Sequence, residues 1–149
     1  MKIHEVFSYL CVKNAQETID FYKTAFGGVE KFRLVEPGSG RVGHAEVEIG
    51  GVVVMLAEEY PELGLQSPAT LGVTTASMHL HVDNCDEVIE RAIKAGATLD
   101  MAPRDHFYGE RSGVIRDPSG HRWNIGHHIE NVSTGEMQAR YDTMKDGDC

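Results

Sequence analysis

Residues 77–97 read SMHLHVDNCDEVIERAIKAGA, and a matching order of residue types occurs at 7–27 as FSYLCVKNAQETIDFYKTAFG. In each stretch an alternating apolar segment runs into an Asn, and an amphipathic helical pattern then runs on to a Gly. Asn14 and Asn84 are both N-cap residues with a Glu three positions later, the capping-box spacing. Their separation of 70 positions also superposes Leu10 on Leu80, Val12 on Val82, Ile19 on Ile89 and Ala25 on Ala95. Start, stop and periodicity shared at one offset identify an internal duplication.

The segments that follow repeat as well. RVGHAEVEIGGVVVMLAEE (41–59) reads as two strands turned at Gly50–Gly51. In the second half, strands are expected around 98–102 and 111–116, then a DPSG turn at 117–120, then a strand in HRWNIGHHI (121–129). The fold expectation is α+β: two tandem βαβββ modules, about 5–57 and 77–130, within one domain spanning 1–130. Segment 58–76, rich in Pro, Gly and Thr, is the linker between them. In the tail, 131–149, Ser133 and Glu136 predict a short terminal helix, with frayed residues in KDGDC (145–149).

Composition narrows the class. The chain has 149 residues, of which 41% are hydrophobic and 25% charged, the balance of an ordinary globular domain. A net charge of −9 argues against nucleic acid and anionic membrane surfaces as partners, since both demand a basic patch. There is no apolar run of membrane-spanning length and no signal-peptide pattern near the start, so a cytoplasmic location is expected. The three cysteines are widely spaced without a CxxC pair, which fits reduced thiols.

Strand parity sorts side chains into two faces. Ala45, Val47, Ile49, Met78, Leu80, Val82, Trp123 and Ile125 share the apolar face that must cover the helices. The opposite face collects Tyr9, His44, Glu46, His79, His81, Arg122 and Asn124, a polar set whose three histidines and carboxylate favour a site over a merely wet surface. His79 and His81, one residue apart, can chelate a metal or line a pocket. A displaced metal site of His44, Glu46, His79 and His81 therefore stays open. In DHFYGERSG (105–113), Phe107 and Tyr108 can stack on a planar ligand and Arg111 can pair with an anionic group. His121 reads as a turn residue, His127 and His128 as surface or interface residues, and Cys11 has no evident base beside it.

Together, YLCVKNAQETIDFYKTAFGG, GHAEVEIGGVVVMLAEE, SMHLHVDNCDEVIERAIKAGA and FYGERSGVIRDPSGHRWNIGHHIE resemble the vicinal oxygen chelate superfamily. That group holds glyoxalase I, extradiol dioxygenases, and the fosfomycin- and bleomycin-resistance proteins. The resemblance covers about residues 5–130 and is nearest to the small PhnB-like branch. It implies paired βαβββ modules forming a cupped mixed sheet with helices on the convex face, commonly completed in a homodimer. It also implies four metal ligands, usually His and Glu, at positions that are Phe7, Met55, Ser77 and Asn124 here. Those residues offer no ring nitrogen or carboxylate, so glyoxalase I-type metal chemistry is not expected, and whether the chain is an enzyme is left open.

The expected function is a metal-free, small-molecule-binding protein that holds an organic ligand in the sheet cleft of a homodimer. Phe7, Tyr9, Met55, His79, Phe107 and Tyr108 are the expected walls; His44, Glu46, Arg111 and Asn124 are the expected polar anchors. No cofactor is expected. The alternative is a lyase, isomerase or dioxygenase-like enzyme that uses Zn, Ni, Mn or Fe at the displaced His/Glu site.

Overall fold

Side-chain spacing and capping chemistry lay out the chain in the computed structural model, which describes residues 1–144. The order is β1 (Ser8–Val12), α1 (Ala15–Phe26), β2 (Val29–Val35), β3 (Val42–Ile49), β4 (Val52–Glu58) and α2 (Pro68–Leu71). It continues with β5 (Ser77–His81), α3 (Cys85–Lys94), β6 (Thr98–Asp105), β7 (Glu110–Arg116), β8 (Arg122–His128) and α4 (Thr134–Asp142). The KDGDC residues, 145–149, lie outside the described residues. Among the described residues, no helix is long and apolar enough to cross a membrane.

The α+β, tandem βαβββ expectation is borne out. The strands form two four-stranded sheets, ordered β1-β4-β3-β2 and β5-β8-β7-β6. In each, the first pair is parallel and the others antiparallel. The duplication extends to register: Tyr9 stands opposite Met55 as His79 stands opposite Asn124.

Both helices start at the expected asparagines. The Asn14 side chain accepts from the Glu17 N–H, and that of Asn84 from the N–H groups of Asp86 and Glu87. Gly27 closes α1 at φ 67°, a left-handed conformation that favours glycine. Strand β1 begins at Ser8 rather than residue 5, because pairing with β4 begins at Val54. Segment 58–76 is more ordered than a plain linker. The Glu59 carboxylate accepts from the Ser67 N–H and hydroxyl, Ser67 caps α2, and the Ala69 N–H donates to the Ser119 carbonyl.

Each sheet buries one face. Leu10, Val12, Ala45, Val47, Val54 and Leu56 of the first module and Ile115, Trp123 and Ile125 of the second join the inner faces of α1 and α3 in one core. Burying each large side chain stabilises the fold by roughly 1.5–3 kcal/mol. The helices pack on one another, and Tyr22, Phe26 and Trp123 meet in a ring cluster with centroids 4.9–5.9 Å apart.

The DPSG turn fastens the modules together. The buried Asp117 carboxylate accepts from the Tyr22 hydroxyl at 2.7 Å and from the Trp123 indole at 3.0 Å. Its other oxygen accepts from the N–H groups of Ser119 and His121. Ser119 in turn bonds Thr18 and the Lys13 N–H, and the His121 ring reaches the Cys11 carbonyl at 2.8 Å. His121 is thus a tie between modules as well as a turn residue.

Candidate functional site

With one face of each sheet in the core, the other is open along most of its polar side chains, although Ser112 and Val114 on that face of the second sheet are themselves buried. On the first sheet, register aligns Phe32, Glu46, Met55 and Tyr9 in a row across β2, β3, β4 and β1. His44 lies one pleat along. Its Nδ1 is 2.8 Å from the Tyr9 hydroxyl, its Nε2 is 3.5 Å from Glu46 Oε1, and the Phe32 ring lies 5.5 Å away. Partial desolvation, with Tyr60 nearby, raises the Tyr9 phenol, which stays protonated at neutral pH. Phe7 lies exposed just before β1.

The second open face carries His79, His81, Asn124 and Glu110. The Nε2 of His81 is 2.9 Å from Glu110 Oε1, and the Nε2 of His79 is 4.0 Å from Glu110 Oε2. The donor atoms of this trio all lie within 4.8 Å of one another. His79 and His81 also line a groove of about 480 Å³ between the modules, with Ser8, Val52, Val54 and Ser77.

The structure does not bring the four residues of the expected displaced site together. His44 and Glu46 stand on the first sheet, whereas His79 and His81 stand on the second with Glu110. Sequence reasoning missed Glu110 as a site residue, although its place in an alternating strand two positions from Ser112 carried the parity signal.

Arg111 is a correction. It alternates with Glu110, so it points to the helix side of β7. There Asp86 accepts from its Nε and Nη2 at 2.7 and 2.8 Å, and Asp105 from its Nη1 at 2.9 Å. A guanidinium engaged by two carboxylates is not free to anchor an anionic ligand. Phe107 and Tyr108 belong to the β6–β7 turn. Phe107 packs on Tyr141 of α4, its carbonyl accepts from Arg140, and Tyr108 stacks on His106. Trp123 is in the core, and the His127 Nδ1 accepts from the Cys85 N–H at the start of α3. Burial, then Glu59, pushes the Cys11 thiol up, which disfavours a nucleophilic role.

The positions Phe7, Met55, Ser77 and Asn124 do not suit a family-type cation. Met55 stands beside Tyr9 and Glu46, and Asn124 beside His79. Together the four offer a thioether, a hydroxyl and an amide, but no imidazole or carboxylate.

Comparison with known proteins agrees with this architecture. A profile described as the Glyoxalase/Bleomycin resistance protein/Dioxygenase superfamily matches residues 2–125. The uncharacterized protein Mb0911c of Mycobacterium bovis is 38% identical over 142 residues, spanning 93% of this chain and 93% of that protein. The crystal structure of TioX from Micromonospora sp. ML1 is similar with a TM-score of 0.61 at 24% identity, covering 87% of this chain and 100% of TioX. The fosfomycin resistance protein FosX from Listeria monocytogenes, complexed with Mn(II) and sulfate, is similar with a TM-score of 0.65 at 20% identity. The match covers 95% of this chain and 99% of FosX. At these identities the two solved structures speak to the fold.

Proposed function

The chain belongs to the glyoxalase/bleomycin resistance protein/dioxygenase superfamily, and from that premise we propose that it is a cytoplasmic small-molecule-binding protein of the PhnB-like branch. Its cleft forms when the open face of the first sheet meets the open face of the second sheet of another copy. Phe7, Met55, Ser77 and Asn124 lack the imidazole and carboxylate donors that a family-type cation takes, so the metal chemistry of glyoxalase I is not expected there.

One observation carries this reading: the aligned row of Phe32, Glu46, Met55 and Tyr9, with His44, forms an aromatic and polar wall that nothing covers within the described chain. Tyr9 is 54% exposed and Phe32 44%, large ring surfaces to leave in water. A wall of apolar rings with a few placed polar groups is the composition of small-molecule sites. Glu46 and the net charge of −9 favour a ligand carrying positive charge.

The test is a thermal-denaturation screen of tag-free protein against a panel of small organic cations and neutral aromatics. A ligand at a hundredfold its Kd stabilises by about 2.7 kcal/mol, a Tm rise of roughly 5–10 °C for this chain size. The expected result is at least one such shift, lost in Tyr9→Ala and reduced in Glu46→Gln. A panel without a shift, or shifts that survive both substitutions, contradicts the proposal.

A further inference from the structure

We propose that His79, His81 and Glu110 form a binding site for one divalent transition-metal ion, separate from the four family positions. The inference stands independently of the ligand-binding reading.

Three features of the fold assemble the trio. Residues i and i+2 of β5 send both imidazoles to one face, with ring centroids 5.9 Å apart. Glu110 comes from β7, two strands away, and has to reach across β8. It does so over Gly126, which pairs with both His81 and Ser112. A Cβ at Gly126 would lie 3.0 Å from the Ser112 Cβ and 3.5 Å from Glu110 Oε2, so a larger residue there would crowd the path of the carboxylate. The glycine serves space here, since its φ is not positive.

The carboxylate faces the two imidazoles through different oxygens. A hydrogen bond accounts for the 2.9 Å contact with His81. It does not account for His79, whose Nε2 faces the second oxygen at 4.0 Å, beyond hydrogen-bonding reach. The neighbouring cation is committed elsewhere, because Arg111 is held by Asp86 and Asp105. His127 and His128 are engaged by the Cys85 N–H and by Asn131. An ion between the three donor atoms would satisfy all of them at once.

Metal–ligand bonds of about 2.0–2.2 Å place donors roughly 3–3.5 Å apart. The donor atoms lie within 4.8 Å of one another, so binding an ion calls for a small side-chain rotation. Both imidazoles are exposed enough to make it, at 47% and 54%. Two imidazoles and one carboxylate suit Zn²⁺, Fe²⁺, Co²⁺ or Ni²⁺, and three protein donors leave coordination positions open to solvent or another molecule.

The experiment titrates tag-free, chelator-stripped protein with Co²⁺, reading visible absorption and calorimetric stoichiometry. One equivalent per chain is expected. Each of His79→Ala, His81→Ala and Glu110→Gln should weaken binding at least tenfold, since even outer-shell changes cost ten- to a hundredfold. His127→Ala, whose ring faces the Cys85 N–H on the helix side of β8, should bind like the parent. The three trio side chains are at the surface, so unchanged circular dichroism checks that the variants fold. The proposal is overturned by any of three outcomes: no saturable one-equivalent binding, binding unchanged in the trio variants, or binding lost in His127→Ala.

Discussion

Glu110 and Arg111 are neighbours in the chain and serve opposite faces of β7. One faces the histidines of β5; the other clamps the start of α3 through Asp86. The rest of that face was partly legible: parity alone assigned Tyr9, His44, Glu46, His79 and His81 to the polar sides of their strands. Parity does not say which strand lies beside which. The union of His79 and His81 with Glu110, instead of with His44 and Glu46, depends on the order β5-β8-β7 and on a glycine in the middle strand. Asp117 gives the sharpest stability prediction at this scale. Its carboxylate is the partner of the buried Tyr22 hydroxyl and Trp123 indole, and each orphaned donor costs about 1–3 kcal/mol. Asp117→Ala should lower stability by roughly 2–4 kcal/mol, seen as a Tm drop of about 5–15 °C in calorimetry. A drop under about 2 °C would mean that the carboxylate does not hold the modules together.

Among the elements, the two capped helices were readable because caps and stops are local chemistry. Strand β2 was not singled out, since its alternation is blurred by register shifts after Glu30 and Leu34 and most of its residues are exposed on both faces. Segment 58–76 read as a linker from its composition, whereas its order comes from Glu59 and Ser119, contacts that composition does not encode. Strand β2 is tied to α1 by Glu30, which accepts from Arg33 and from Lys23. Arg33 first, then Lys23, lowers the Glu30 carboxyl from 4.5 to about 2. A carboxyl depressed on folding contributes stability above its unfolded pKa, and that contribution is lost as pH falls through the folded value. Glu30→Gln should therefore be less stable than the parent near neutral pH, with the gap narrowing below pH 4.5 and closing near pH 2. Urea unfolding across that range measures it. A gap that persists unchanged at the acid end would refute the ion-pair account.

At the scale of the whole molecule, one core runs through both modules and leaves both titratable faces outward. Within the described residues they do not meet, so a cleft walled by both requires a second copy. The central claim is therefore read most directly from mass in solution. Multi-angle light scattering on tag-free protein should give twice the chain mass of 16.4 kDa. Phe32→Asp, which puts a charge in the open row of the first sheet, should shift that mass toward the single chain while circular dichroism stays the same. A parent protein that scatters as a single 16.4 kDa chain at micromolar concentration would contradict the shared cleft.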